Sequence, residues 1–87
     1  MTRYQIFWPE DVLNELAQIW VSYPDRAAVA SASNLADVIL STAPSQFGDD
    51  VSEGLLSLSI EPLHILFAVS EMDKRVEVAA VFLMQHE

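Results

Sequence analysis

The sequence contains no cysteine, and this excludes a disulfide framework, a thiolate metal site and a thiol nucleophile. Its two glycines are too few to build a glycine-rich phosphate-binding loop. Lysine and arginine together number four against thirteen aspartates and glutamates, which gives a net charge of −9. A protein that neutralises phosphates needs clustered cations, so we do not expect direct binding to nucleic acid.

Long apolar runs are also missing. The longest stretch without a charged residue is 38–48, eleven residues, well short of the roughly 18 that a membrane span needs. The N-terminus carries Arg3, Glu10 and Asp11 and has no signal-peptide pattern. We therefore expect no membrane association and a cytoplasmic location.

What is present is a small, strongly apolar chain. Its 87 residues leave room for one domain, spanning 1–87, and its 52% hydrophobic residues and mean hydropathy of +0.26 exclude disorder. A chain of this length buries only about 60% of the surface that it exposes when unfolded. We therefore expect the chain to be either marginally stable or helped by a partner.

The N-terminal half predicts a strand followed by two helices. Residues 3–8 alternate as a strand does, and Pro9 then starts a helix that stops at Pro24. Its apolar stripe comprises Val12, Leu16, Ile19 and Tyr23, widened by Leu13 and Trp20. Asp25 is the expected cap of the second helix, which ends before Pro44. The predicted buried face of that helix is Ala28, Ala32, Leu35 and Ile39, flanked by Val38. Trp8 and Trp20 are expected in the core.

The C-terminal half predicts strands. Residues 45–54 hold both glycines and three acids and indicate a loop or an irregular edge. Three apolar runs follow, 56–60, 63–69 and 76–83, separated by a turn at Pro62 and a polar hairpin tip at 71–74. The predicted fold is α+β, in the order β-α-α-β-β-β, with a helical hairpin packed on a mostly antiparallel four-stranded sheet.

Few residues are suited to catalysis. If Leu63, Ile65 and Phe67 face the helices, His64 faces the other way; the second histidine, His86, is next to the C-terminus. Ser57 and Ser59 alternate with apolar residues and are expected on a wet strand face. Two histidines without ligand spacing do not predict a metal site. The acids Asp49, Asp50 and Glu53 lack calcium-loop spacing and are assigned to a solvated loop, so we expect no metal and no cofactor.

The order of elements and several local phrases resemble the RelE/ParE superfamily of toxins from type II toxin–antitoxin systems, also known as plasmid stabilisation proteins. The phrases are Tyr4-Gln5-Ile6, the helical hairpin through Ile39 to Pro44, Phe47-Gly48, Glu53-Gly54-Leu55-Leu56-Ser57-Leu58, Pro62-Leu63-His64-Ile65-Leu66-Phe67-Ala68-Val69 and Asp73-Lys74-Arg75-Val76-Glu77-Val78-Ala79-Ala80-Val81. The resemblance spans nearly the whole chain, and it implies a small toxin that a cognate antitoxin neutralises.

The same resemblance implies which residues could act. In the ribonuclease branch, basic residues on the sheet face hold phosphates, usually with a C-terminal Tyr or His nearby. An arginine frequent in the family matches Leu55 or Leu56 here, and another matches His64. His64 and His86 are therefore the candidate catalytic residues, and Leu56, Lys74 and Arg75 are candidates for contact with a target or partner. Leucine cannot donate a hydrogen bond to a phosphate, so ribonuclease activity is expected to be absent or very weak.

Three functions follow from the resemblance. The first is a ParE-like toxin that acts by protein–protein contact and is held by a cognate antitoxin. The second is a RelE-like ribosome-dependent mRNA endonuclease with a reduced basic set, in which His64 and His86 transfer protons. The third is a non-toxic homologue that serves as an interaction module. A basic antitoxin tail would complement the acidity, and without a partner the chain is expected to form homo-oligomers through an exposed sheet face or edge.

Overall fold

In the computed structural model, two helices lie on one face of a five-stranded sheet. The structure describes residues 3–42, 44, 48–52 and 54–84. The elements in chain order are β1 (Gln5–Phe7), α1 (Glu10–Ser22), α2 (Arg26–Thr42), β2 (Asp49–Ser52), β3 (Leu55–Ile60), β4 (Leu63–Ser70) and β5 (Arg75–Leu83). Neither of these helices is long and apolar enough to cross a membrane.

The sheet order is β1-β5-β4-β3-β2. The last four strands pair antiparallel with their neighbours along the chain, whereas β1 pairs parallel to β5 because the helical hairpin carries the chain back across the sheet. The predicted α+β class and helix-on-sheet arrangement are confirmed.

The predicted strand count was one too low. Within the segment predicted to be a loop or irregular edge, Asp49–Ser52 pairs with β3 as a fifth strand, β2. All four residues are exposed, and an acidic, exposed strand of this kind is suited to a sheet edge, where it does not need an apolar face. The acidic composition of this segment therefore did not indicate a strand.

Proline and aspartate set the helix limits as predicted. Helix α1 follows Pro9 and ends before Pro24, and the Ala28 N–H donates to Asp25 Oδ1 over 3.1 Å. This hydrogen bond satisfies one of the orphan donors at the start of α2.

The core lies between the helices and the inner face of the sheet. Leu63, Ile65 and Phe67 of β4 are fully buried, while His64 and the other alternate residues of β4 are half-buried on the outer face. The predicted facing of β4 is thus confirmed. The buried hydrophobic residues are Val12, Ile19, Val29, Ala32, Ala36, Leu40, Leu58, Leu63, Ile65, Phe67, Val76, Val78 and Val81.

The buried face of α2 is rotated from the predicted one. Val29, Ala32, Ala36 and Leu40 are buried, whereas Leu35 is 48% exposed. Val38 is exposed as well, and Ala28 and Ile39 are only partly buried. The two small alanines let the helix backbone approach the sheet, and this places the neighbouring large side chains at the surface.

The wet face predicted for β3 is only half correct. Ser59 is exposed, but Ser57 is 8% exposed. Ser57 lies between Asp49 of β2 and Leu66 of β4. Strand β2 therefore covers Ser57. In the predicted four-stranded sheet, β3 would have been an edge strand and Ser57 would have been more exposed.

Candidate functional site

His64 lies on the outer face of β4, opposite Ser59 of β3 and Phe82 of β5. The Oγ atom of Ser59 is 2.9 Å from His64 Nδ1, so the two side chains share a hydrogen bond. A shallow cleft of about 390 Å³ opens here, lined by His64, Phe82, Leu83 and Met84. The histidine is thus accessible, with a hydroxyl on one ring nitrogen and an aromatic side chain beside it.

Of the other predicted site residues, those that the structure describes lie away from His64. His86 lies outside the described residues. Leu56 pairs with Phe67 and packs against the core, so it belongs to the opposite, helix-facing side of the sheet. It also lines a groove of about 320 Å³ at the β2–β3 end, together with Asp50 and Glu71.

Lys74 and Arg75 lie at the β4–β5 turn, each against an aromatic ring. Lys74 Nζ is 3.5 Å from Glu71 Oε1 and 5.3 Å from the centre of the Tyr4 ring. The Arg75 guanidinium lies 5.7 Å from the centre of the Phe7 ring. Both cations are therefore engaged locally.

The structure separates these cations from the histidine. Arg75 is paired with Ser70, six residues along β4 from His64. At about 3.3 Å per residue the separation is roughly 20 Å. A group that donates or accepts a proton acts within hydrogen-bond reach of the reacting atom, directly or through one water. His64 and the two cations therefore cannot serve one phosphate together.

A polar cluster at the same turn was not predicted. The Tyr4 hydroxyl donates to Glu71 Oε1 over 2.5 Å. This hydrogen bond to a carboxylate raises the pKa of Tyr4, as do partial burial and the negative charge of Glu71, while nearby Lys74 lowers it by less. The pairing of β1 with β5 brings these residues together, and no spacing in the sequence reveals it.

The second unpredicted feature is an apolar groove between the two helices, which we call the interhelix groove. Its volume is about 340 Å³, and its lining residues are Leu13, Leu16, Ala17, Trp20, Val29, Ala30 and Ser33. Leu13 is 48% and Trp20 43% exposed, so the prediction of Trp20 as a core residue was wrong. The Trp20 side chain instead lies at the surface of the helical hairpin, and the Arg26 guanidinium is 4.9 Å from the centre of its ring. Trp8 does pack against the core and donates from Nε1 to Asp37 Oδ1 over 3.1 Å.

Charge and donor groups limit the chemistry that the surface can perform. Arg75 is the only lysine or arginine on the five strands that the structure describes. Across the same described residues, no three histidines or carboxylates converge as metal ligands.

Comparison with solved structures gives matches to chains of toxin–antitoxin complexes that cover 94–100% of this chain. A chain of the RelBE2 complex from Mycobacterium tuberculosis aligns with a TM-score of 0.78 at 15% identity, covering 94% of this chain and 99% of its own. A chain of the archaeal RelE–RelB complex from Pyrococcus horikoshii OT3 has a TM-score of 0.69 at 14% identity, with both chains fully covered.

A third match is to the chromosomal ParDE toxin–antitoxin system of P. aeruginosa, with a TM-score of 0.62 at 14% identity and coverage of 94% and 97%. No protein-family model matches the sequence, and no curated protein sequence matches it significantly. The likeness is therefore one of architecture, and the chain has the RelE/ParE-like toxin fold.

Proposed function

We propose that this protein is a cytoplasmic, toxin-like component of a toxin–antitoxin pair that acts by protein–protein contact and is neutralised by a cognate antitoxin. Its fold supports this proposal, because the three solved structures come from toxin–antitoxin systems. Fold alone does not distinguish a ParE-like from a RelE-like mechanism. The choice between them depends on the surface of this chain.

The interhelix groove is the observation that carries the proposal. Leu13 and Trp20 together expose apolar surface around a groove that contains one polar lining residue, Ser33. Exposed apolar patches with a polar rim mark protein-binding surfaces. Tryptophan is also among the residues that contribute most to binding energy at such surfaces.

The sheet, in contrast, is poorly suited to cutting RNA. Phosphate contacts require clustered lysine and arginine, and Arg75 is about 20 Å from His64 along the strands. His64 has the Ser59 hydroxyl as its hydrogen-bond partner. A serine hydroxyl cannot supply the charge stabilisation that an arginine or lysine would supply to a pentacoordinate phosphate. We therefore favour protein contact over the endonuclease function.

The net charge of this chain indicates which kind of antitoxin would bind it. At −9, this chain attracts basic partners and repels acidic ones. We expect an antitoxin with a lysine- or arginine-rich segment beside an apolar stretch. The apolar stretch would fill the interhelix groove, and the basic part would face the acidic surface.

The experiment is to co-express the chain with an antitoxin candidate, the product of a short gene adjacent to its own, and to measure complex formation and affinity. Leu13→Gln removes an apolar side chain from the groove. Val21→Gln is the matched control, because Val21 is 62% exposed on the same helix and does not line the groove.

We expect the groove variant to weaken the complex about tenfold, as the loss of one apolar contact at an interface does, and the control to bind like the wild type. Equal effects of the two substitutions would show that the groove is not the contact surface. A neighbouring product that forms no complex would contradict the antitoxin assignment.

A further inference from the structure

Strand β5 has a partner on both sides over only part of its length. β1 is three residues long and pairs with Arg75–Glu77, after which Trp8 and Pro9 lead the chain into α1. On the other side, β4 pairs with β5 as far as Leu83. Within the described sheet, residues 79–83 therefore form an open edge on the side where β1 has ended.

The hydrogen-bond pattern identifies which backbone groups this open edge presents. The Met84 N–H donates to the Pro62 carbonyl over 2.8 Å, toward the β4 side. Alternate residues of an antiparallel strand direct their N–H and C=O groups to the same side. Phe82 therefore also bonds toward β4, and the N–H and C=O groups of Val81 and Leu83 point to the open side.

An acidic groove runs along this open edge. It has a volume of about 300 Å³ and is lined by Asp11, Val12, Glu15, Ala79, Ala80, Val81 and Phe82. Asp11 and Glu15 are exposed on α1, and no lysine or arginine is among these lining residues. Phe82, 49% exposed, adds an aromatic surface on the outer side.

We propose that the open edge binds an extended segment of a partner protein, carrying lysine or arginine at alternate positions, as an added β-strand. The free backbone groups of β5 supply the ladder of hydrogen bonds. One set of alternating side chains would meet Asp11 and Glu15, and the other set would pack beside Phe82. This inference does not depend on the protein being toxic.

The two outermost strands are less suitable for such pairing. β2 carries Asp49 and Asp50, and its register shifts between Asp50 and Ser52. Charged side chains and bulges are features that prevent an edge from pairing. β1 offers three residues only. The open edge of β5 has no charged residue between 78 and 83 and keeps a regular register from Ala80 to Leu83.

The test adds a hexapeptide of alternating valine and arginine, acetylated and amidated at its ends, to the full chain. Backbone NMR and amide hydrogen exchange then report which residues respond to the peptide. In the free chain we expect fast exchange at Val81 and Leu83 and slow exchange at Ala80 and Phe82. The peptide should slow exchange at Val81 and Leu83 about tenfold or more, because their amides gain acceptors.

Charge variants test the acidic side of the groove. The double variant Asp11→Asn/Glu15→Gln should bind the peptide about fivefold more weakly, because it loses two solvent-exposed ion pairs and each such pair contributes little. Asp49→Asn/Asp50→Asn removes the same charge from the opposite sheet edge and should bind like the wild type.

Three results would overturn the proposal. The first is slow exchange at Val81 and Leu83 in the free chain at every protein concentration. The second is protection that grows with protein concentration without peptide, because a second copy would then occupy the edge. The third is a change in NMR signals or exchange on adding peptide that is confined to β2 or to the interhelix groove, or no change at all.

Discussion

The Tyr4 hydroxyl donates a 2.5 Å hydrogen bond to Glu71 Oε1, joining the residue before β1 to the turn between β4 and β5. The backbone makes the same connection, because the Gln5 N–H donates to the Lys74 carbonyl over 2.9 Å. Lys74 lies over the Tyr4 ring and has a positive φ of 51°. The short parallel strand β1 is thus fixed at its start by side-chain and backbone contacts with one turn.

The first prediction concerns the titration of Tyr4. Ionised Tyr4 would face the Glu71 carboxylate and lose the hydrogen bond that it donates, so its pKa lies above the ordinary 10.0. Because this pKa is raised in the folded state, the contribution of Tyr4 to stability is fully present below pH 10, the ordinary value, and is lost as the pH rises through the folded pKa. Absorbance titration of tyrosinate, with Tyr4→Phe to separate Tyr4 from Tyr23, should show the raised value.

Glu71→Gln is the control for that titration. Removing the charge should lower the pKa of Tyr4 toward 10.0 and reduce the loss of stability at alkaline pH. Superimposable titrations of the wild type and Glu71→Gln would show that the hydrogen bond does not govern Tyr4.

The second prediction is that Gly48→Ala destabilises the fold by about 1–3 kcal/mol, the usual cost of overpacking a core. An added Cβ would lie 2.7 Å from Cζ of the fully buried Phe67 and 3.1 Å from Cβ of Leu56. Urea denaturation of Gly48→Ala, Phe67→Leu and the double variant measures the coupling. The double variant should be more stable than the sum of the single effects predicts, and strict additivity would exclude the clash.

The third prediction concerns the start of α2. Asp25→Ala removes the acceptor of the Ala28 N–H and should lower the free energy of unfolding by about 1 kcal/mol. Asp25→Asn keeps a side-chain oxygen and should lie within a few tenths of a kcal/mol of the wild type. Urea denaturation compares the three proteins. If Asp25→Asn and Asp25→Ala destabilised the protein equally, the loss of the negative charge, and not the loss of the capping hydrogen bond, would be the cause.

The fourth prediction is that His64→Ala leaves the fold and any RNA cleavage unchanged. The substitution removes one hydrogen bond on the outer sheet face, a loss of about 0.5–1.5 kcal/mol. Ser59→Ala removes the same bond and keeps the imidazole, so the two variants should unfold at similar urea concentrations. An RNA cleavage activity that is present in the wild type and lost only in His64→Ala would make this residue catalytic.

Local signals in the sequence predict much of this fold. Pro9, Pro24 and Asp25 mark helix limits through backbone geometry and capping, and they act within a few residues. The alternation around His64 assigned both faces of β4, because successive side chains of a strand point to opposite faces. Such rules need no knowledge of the remote partners.

Features that depend on remote partners were not predictable. β2 is a strand because β3 offers it a free edge, although its residues are acidic and exposed. The buried face of α2 depends on how closely Ala32 and Ala36 approach the sheet, which the spacing of apolar residues does not give. The Tyr4–Glu71 contact needs the parallel register of β1 with β5.

The candidate site was less predictable than the fold for the same reason. His64 was placed on the correct face, but its Ser59 partner and its distance from Arg75 follow from strand register. The interhelix groove requires Leu13 and Trp20 to be exposed, whereas an apolar stripe predicts that they are buried. Its existence follows from helix packing.

The most direct test of the account is induced expression of the chain in a bacterial host, with growth and total translation followed together. A toxin that acts by protein contact, as the interhelix groove and the single cation on the described strands suggest, should arrest growth while translation continues. Co-expression of an antitoxin candidate that binds the chain should restore growth. Rapid loss of translation would contradict this account in favour of the endonuclease, and unimpaired growth would contradict toxicity.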